Sequence, residues 1–305
     1  MELDFVRWLT EQIATGDAVT VGIGDDAAVL NVPANRQLVV TTDMLIDGAH
    51  FELGRHTPEQ IGRKALAVNL SDLAAMAAEP LAAVVSLSLP KAEANSTLAR
   101  DLTSGMTVLA RQTQCPVVGG DTNVATGPLV VSVTAIGTAE LGKAWLRSGA
   151  QAGDRLLVSG TLGGSMQGHH LSFTPRVAEA LELAAQYEVI AAMDLSDGLA
   201  LDLSRMIQAS NVGAVVDIAN LPISQAANEM AQQSGKSPVA HALSDGEDFE
   251  LLLAVPPATA TRLLAEQPLE CGLTDVGEIV AGETLMQRDA AGATSPLKAE
   301  GYEHR

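Results

Sequence analysis

Aromatic residues are scarce: four Phe, two Trp and two Tyr among 305 residues. Little surface is left on which bases could stack, so single-stranded nucleic acid is a poor partner. Basic residues are scarce too. Lys and Arg number 18 against 37 Asp and Glu, a formal net charge of −19. Such a surface repels phosphate backbones and anionic membranes. A small anionic ligand would need bridging cations. The two cysteines, Cys115 and Cys271, lie far apart and in no CxxC or Cys/His cluster. They read as reduced packing residues, as a cytoplasmic chain would carry. No window approaches 18 uninterrupted apolar residues, and MELDFVRWLTEQ has no basic n-region. Neither a transmembrane helix nor a signal peptide is expected.

Core material is ample, with 47% hydrophobic residues. At roughly 150 residues per domain, the length predicts two domains. Strand-like and helix-like runs alternate, which predicts an α/β or α+β fold with a mixed sheet in the first half. Strands are expected over 19–23, 37–42, 81–89 and 128–137, with helices over 58–78 and 93–113. The polar stretch AELGKAWLRSGAQAGD marks a boundary, giving domains 1–139 and 140–305. In the second domain, strands are expected over 155–159, 189–193, 214–218, 249–255 and 275–280. Helices are expected over 175–187, 199–209, 223–233 and 258–266.

The acids are the informative residues. GIGDDAAVL puts Asp25 and Asp26 in a glycine turn, and LVVTTDML puts Asp43 at a strand end. ALAVNLSDLAAMAA puts Asp72 inside an almost wholly apolar helix. CPVVGGDTN and AAMDLSDGL put Asp121, Asp194 and Asp197 at further strand ends, and ALSDGEDFELLL clusters Asp245, Glu247, Asp248 and Glu250. Burying several carboxylates together raises their pKa values unless something compensates. Few basic residues neighbour these segments. An all-oxygen donor set favours Mg²⁺ over Zn²⁺, and Mg²⁺ commonly binds carboxylates together with substrate phosphates. Single motifs have plainer readings. Asp before Gly is ordinary turn chemistry, so Asp197 and Asp245 alone signal little. Asp25 or Asp26 reads equally as a cap. Gly235-Lys236-Ser237 is not a P-loop, because Met230 stands where a glycine is required. The glycine-rich 160–168 reads as a flexible turn, and His169-His170 as an exposed pair. No Ser-His-Asp set is suggested.

Seven blocks carry a resemblance: GIGDDAAVL, TTDMLIDGAHF, KALAVNLSDLAAMAAEP, VVGGDT, RSGAQAGD, DLSDGL and DGEDFEL. In this order, over about residues 4–303, they resemble the thiamine-monophosphate kinase family. That family shares an ATP-binding superfamily with aminoimidazole ribonucleotide synthetase. The resemblance implies a two-domain PurM-like subunit, a homodimer with a β-barrel at its interface, and phosphoryl transfer from ATP to thiamine monophosphate assisted by several Mg²⁺ ions. By motif position it implies Asp25, Thr41, Thr42, Asp43, Asp72, Asp121, Asp194 and Asp197 as metal ligands. Gly120, Asp121, Arg147 and Ser196 would contact ATP, and His50, Glu247 and Tyr302 the substrate. Asp43, Asp121 and Arg147 would be catalytic. Two departures stand out. The helical insertion usual before Pro175 is missing, and the tail AEGYEHR has Ala299 where an aromatic would stack on the thiamine ring. Tyr302 is the available substitute. Another ATP-using enzyme of the superfamily, or a non-catalytic Mg-nucleotide-binding protein, are the alternative readings.

Overall fold

A computed structural model describes residues 8–10, 18–23, 27–92 and 96–302. The chain divides into two compact units, Met1–Leu73 with Ala78–Ala144, and Ala74–Ala77 with Trp145–Arg305. No described helix is long and apolar enough to cross a membrane.

In the first unit a short ribbon, β1 (Val19–Val21) and β2 (Val29–Leu30), precedes the long strand β3 (Arg36–Ile46). Then come α1 (Pro58–Ala75), β4 (Glu79–Pro90), α2 (Ser96–Gln112), β5 (Val117–Ala125) and β6 (Val130–Glu140). The sheet order is β3-β6-β4-β5, antiparallel except for the parallel β4–β5 pair. A mixed sheet is what the sequence predicts. The strand expected over 37–42 is longer, because β3 pairs with β6 in unbroken register from Arg36↔Glu140 to Ile46↔Val130. Asp43 therefore lies inside a strand, not at its end. Asp121 is likewise mid-strand, opposite Ser86.

A capping box starts α1. Thr57 N–H donates to Gln60 Oε1 (3.0 Å) and Gln60 N–H to Thr57 Oγ (3.3 Å). Ile61, Leu66, Leu70 and Leu73 of this helix are fully buried. Leu98, Leu102, Met106 and Leu109 form the buried stripe of α2. The two helices meet backbone to backbone. A Cβ at Gly62 would sit 1.9 Å from Leu102 O, and one at Gly105 1.9 Å from Glu59 O. Only glycine permits that approach on either side.

The second unit contains β7 (Arg155–Ser159), the short α3 (His169–Ser172), α4 (Val177–Gln186), β8 (Ala191–Asp194), α5 (Leu199–Ser210) and β9 (Gly213–Asp217). It continues with α6 (Gln225–Ser234), α7 (Pro238–Ser244), β10 (Leu251–Val255), α8 (Pro257–Glu266), β11 (Leu273–Val280), β12 (Leu285–Arg288) and β13 (Thr294–Pro296). Its seven-stranded sheet runs β13-β12-β9-β11-β7-β10-β8, with β12–β9 the parallel pair. Leu156, Val158, Met193, Leu203, Leu252 and Val276 are among its core residues. Helix α7 and strands β12 and β13 were not expected. Ser237 caps α7 through Ala240 N–H, with Pro238 opening the helix.

Candidate active site

Two carboxylates of the first unit, Asp43 and Asp72, meet on one face of β3. Residues alternate along this strand. Thr41 and Asp43 share the inner face with buried Val39 and Leu45, while Leu38, Val40, Thr42 and Met44 are exposed. From α1, Asp72 reaches the same inner face and accepts a short hydrogen bond from Thr41 Oγ. Burial, and then the charge of Asp72, push the Asp43 carboxyl up to about 6. Thr42 is turned away, its Oγ donating to Val133 O (3.1 Å) and accepting from Thr134 Oγ (2.9 Å). Asp121 is exposed, and its carboxylate accepts from Thr122 N–H (2.9 Å) and Asn123 Nδ2 (2.7 Å). Beside it, a Cβ at Gly120 would lie 1.9 Å from Val85 O, so β5 crowds β4 at this point. His50 Nδ1 accepts from Ile46 N–H (3.1 Å), and its carbonyl accepts from Lys64 Nζ (2.8 Å). Lys64 is fully buried, and the sequence reading missed it. Its one signal is a charged residue at the head of the apolar run KALAV.

In the second unit, the loop after β8 meets the turn before β10. Strand pairing continues beyond both ends, with Phe249 N–H donating to Leu195 O (2.8 Å) and Leu195 N–H to Glu250 O (2.8 Å). Glu247 N–H then donates to Ser196 O (2.7 Å). The tail lies on the same loop, where Tyr302 N–H donates to Asp197 O (2.9 Å). Asp194 ends β8 and is buried. Arg205 Nη1 bridges Asp197 Oδ2 (2.5 Å) and Asp202 Oδ1 (2.7 Å). Burial pushes Asp202 up to about 6, although it accepts Asp197 N–H (2.9 Å). Glu247 and Phe249 adopt left-handed backbone, at φ 55° and 51°. Such conformations cost about 1–2 kcal/mol each and call for a holding environment.

Two family models match, the AIR synthase related protein N-terminal domain over residues 24–139 and its C-terminal domain over residues 142–286. The thiamine-monophosphate kinase of Rhodopirellula baltica is 41% identical over 312 aligned positions, covering all of this chain and 97% of that protein. The chain belongs to the thiamine-monophosphate kinase family. Among solved structures, the thiamine-monophosphate kinase of Stenotrophomonas maltophilia K279a is 39% identical, with a TM-score of 0.80 over 93% of this chain and 95% of that one. AaThiL complexed with AMPPCP and TMP is 29% identical, with a TM-score of 0.78 over 100% of this chain and 96% of that one.

The thiamine-monophosphate kinase motifs thus fall into separate local groups. Thr41, Asp43 and Asp72 come together in the first unit. Ser196, Asp197, Glu247 and Tyr302 come together in the second. The side chains of Thr42 and Asp121 do not join the Asp43 group, and Arg147 is exposed, its carbonyl accepting from Ser210 Oγ (3.2 Å). Asp25 lies outside the described residues. Among the described residues, no three His, Cys, Asp or Glu side chains gather closely enough to hold a metal by themselves. Two expectations need correction. His170 is buried, with Nδ1 2.9 Å from Ser165 O, so the histidines are not an exposed pair. The glycine run 160–168 is not a loose turn, since Gly163, Gly164 and Ser165 are buried and bonded to the 245–248 segment.

Proposed function

We propose that this chain transfers the γ-phosphoryl group of ATP to thiamine monophosphate, giving thiamine diphosphate and ADP. The observation that carries this is the end-to-end likeness to a curated kinase of that activity. The AMPPCP and TMP bound in a relative support the choice of both substrates.

The acceptor is a phosphate oxygen, already anionic at neutral pH. It needs no general base, and the work is positioning and charge neutralisation. The donors on the inner face of β3 fit a hard divalent cation. They are oxygens only, and two carboxylates that repel each other are held together there. Asp43, Asp72 and Thr41 would hold Mg²⁺ from the first unit, with Asp25, the Thr42 backbone and Asp121 as further ligands. Asp194 and Asp197 would serve from the second unit. When bound, Mg²⁺ screens phosphate charge and lowers the repulsion between donor and acceptor. Gly120 supplies backbone without a side chain in the way, and Ser196 and Arg147 contact nucleotide oxygens, Arg147 bidentately. Asp43, Asp121 and Arg147 are the residues on which turnover depends. His50, Glu247 and Tyr302 hold the acceptor. A carboxylate at Glu247 suits thiamine, which carries a cationic thiazolium ring and an aminopyrimidine donor. The first domain, 1–139, has the nucleotide, metal and dimerisation roles, and 140–305 completes the enzyme.

A homodimer in the cytoplasm is the working form. β3 is an eleven-residue edge strand whose outer face exposes Leu38, Val40 and Met44 at 53%, 61% and 54%. A strand of a second copy would continue the sheet at that edge, and the exposed apolar face is an association surface that packing of that copy would cover. The deciding assay measures ADP and thiamine diphosphate in one tube, with ATP and Mg²⁺, with and without thiamine monophosphate. Matched, acceptor-dependent formation of both products is expected. ADP release indifferent to the acceptor would overturn the assignment.

A further inference from the structure

Glu247 sits in a backbone conformation that its own side chain does not favour. Gly246, Glu247 and Phe249 have φ of 74°, 55° and 51°. Neighbours must hold such a turn, and here the 163–165 segment supplies three of the hydrogen bonds. Gly163 N–H donates to Asp248 Oδ1 (2.9 Å), and Gly164 N–H to Asp245 Oδ2 (3.1 Å). Ser165 Oγ–H donates to Gly246 O (2.6 Å). Ser165 and Asp248 are only 1% and 2% exposed. Asp245 is fixed from its other side as well. His241 Nδ1 lies 2.8 Å from Asp245 Oδ2, and His241 Nε2 lies 2.7 Å from Ser234 Oγ. Phe249 stacks on Phe173 with ring centroids 4.2 Å apart, and His169 Nε2 lies 3.3 Å from Asp248 O. Every residue flanking Glu247 is thus anchored, while Glu247 itself stays partly exposed and donates its N–H to Ser196 O.

We infer that the 163–165 segment and Asp248 form a brace that sets Glu247 for the acceptor, making Ser165 and Asp248 positioning residues for thiamine monophosphate binding. The inference rests on the proposed role of Glu247 in holding that substrate. The chemistry of Asp248 fits a brace rather than a contact. Its Oδ1 is spent on Gly163, and its buried Oδ2 has no hydrogen-bond partner in the structure. Burial pushes its carboxyl well above the usual range, as expected of a group enclosed by the fold rather than presented to a ligand. What it supplies is one acceptor at one place. Asparagine could supply the same acceptor, and alanine could not.

The test is steady-state kinetics on Asp248→Ala, Asp248→Asn and Ser165→Ala, each alone and combined with Glu247→Gln. Asp248→Ala and Ser165→Ala should raise KM for thiamine monophosphate about fivefold or more, with KM for ATP within about twofold, the size of shift that losing one buried hydrogen bond produces. Asp248→Asn should stay near wild type. Once Glu247→Gln is present, Asp248→Ala and Ser165→Ala should add almost nothing, because the brace then has no carboxylate to set. Equal changes in both KM values, or full additivity with Glu247→Gln, would overturn the inference. Amide exchange separates the brace from the enzymatic reading. In Ser165→Ala, the 246–249 amides should exchange faster while those of β10 stay protected. Unchanged exchange there overturns the brace even if wild type makes thiamine diphosphate. Faster exchange in a protein that makes none keeps the brace and removes the substrate assignment.

Discussion

Replacing Arg176 with Met should destabilise the second unit by about 3–5 kcal/mol, the usual cost of stranding one member of a buried ion pair. Arg176 Nη2 donates to Glu250 Oε1 (2.6 Å) and Nε to Oε2 (2.7 Å), a bidentate pair. Ser159 Oγ adds a third bond, to Oε2 (2.6 Å). The two side chains are 16% and 3% exposed, so water can do little for either. Burial alone would lower the pKa of the guanidinium. The hydrogen bond and charge of Glu250 reverse that and hold it above its ordinary value. Without Arg176, the carboxylate keeps one neutral donor where it had three bonds. For a unit of this size, 1 kcal/mol moves the melting temperature by about 2–4 °C, so a mid-range loss of about 4 kcal/mol means about 8–16 °C. The double variant Arg176→Met/Glu250→Gln removes the buried carboxylate that Arg176→Met strands, its amide oxygen can still accept from Ser159, and Glu179 loses its 3.1 Å arginine partner equally in both variants. It should melt above Arg176→Met alone. Gly160→Ala should destabilise the unit as well, since a Cβ there would lie 2.1 Å from Glu250 Oε1 and the left-handed φ of 58° adds backbone strain. Thermal unfolding at pH 7, followed by circular dichroism, reads all of these. A melting point for Arg176→Met within about 2 °C of wild type, which corresponds to 1 kcal/mol or less, would refute the reasoning.

Three further outcomes are expected. Gly62→Ala should cost about 3 kcal/mol or more in urea unfolding, the upper end for overpacking, because the new methyl group meets the backbone of α2 rather than a movable side chain. Asp43→Asn should lower kcat about 100-fold or more, by analogy with losing one preorganised electrostatic contact. The same variant should be more stable than wild type in metal-free buffer above pH 6. A carboxyl raised to about 6 contributes its stability below the unfolded value and loses it as pH rises through 6, so the gap between variant and wild type should open from pH 4 to pH 7. Full activity, or a gap that closes with rising pH, would contradict this. Finally, burial pushes the Cys115 thiol up to about 12, leaving about one thiolate in 10,000 at pH 8. A chromogenic disulfide should therefore label half-buried Cys271 in the native protein, and Cys115 only after denaturation.

What the sequence made legible follows from which forces act locally. The alternation of β3 and the apolar run of α1 are local patterns, and both elements form where expected. The ends of β3 and the place of Asp121 were misread for one reason. A carboxylate or a glycine pair reads as a turn, but here β3 pairs with β6 over eleven positions and β5 pairs with β4, which overrides local preference. His170 was misread because adjacent residues on a helix point about 100° apart, so one of two neighbouring histidines can turn inward while the other stays out. The contact of Tyr302 with the Asp197 loop was not legible, because the tail offered Tyr302 only as a substitute for a missing aromatic and nothing local ties it to a loop about a hundred residues earlier.

The charge argument needs the largest revision, and the revision sharpens it. The acids were grouped as one uncompensated set. The structure divides them. Asp197 and Glu250 have arginine partners distant or unremarkable in sequence, Arg205 and Arg176, and Arg205 also holds Asp202, an acid outside that set. Neither Asp43 nor Asp121 has a lysine or arginine ion pair among the described residues. Asp43 therefore keeps the electrostatic need that first suggested a divalent cation, and Asp197 has much of that need met by Arg205. It follows that Arg205→Gln should shift the balance the other way. With the bridging guanidinium gone, Asp197 and Asp202 face each other directly, and the loop should depend more on Mg²⁺ than it does in wild type. The Mg²⁺ concentration giving half-maximal protection against thermal unfolding reads this without any turnover. A larger Mg²⁺-dependent rise in melting temperature for Arg205→Gln than for wild type is expected. An identical rise would mean that Asp197 meets no cation, and would remove it from the metal assignment.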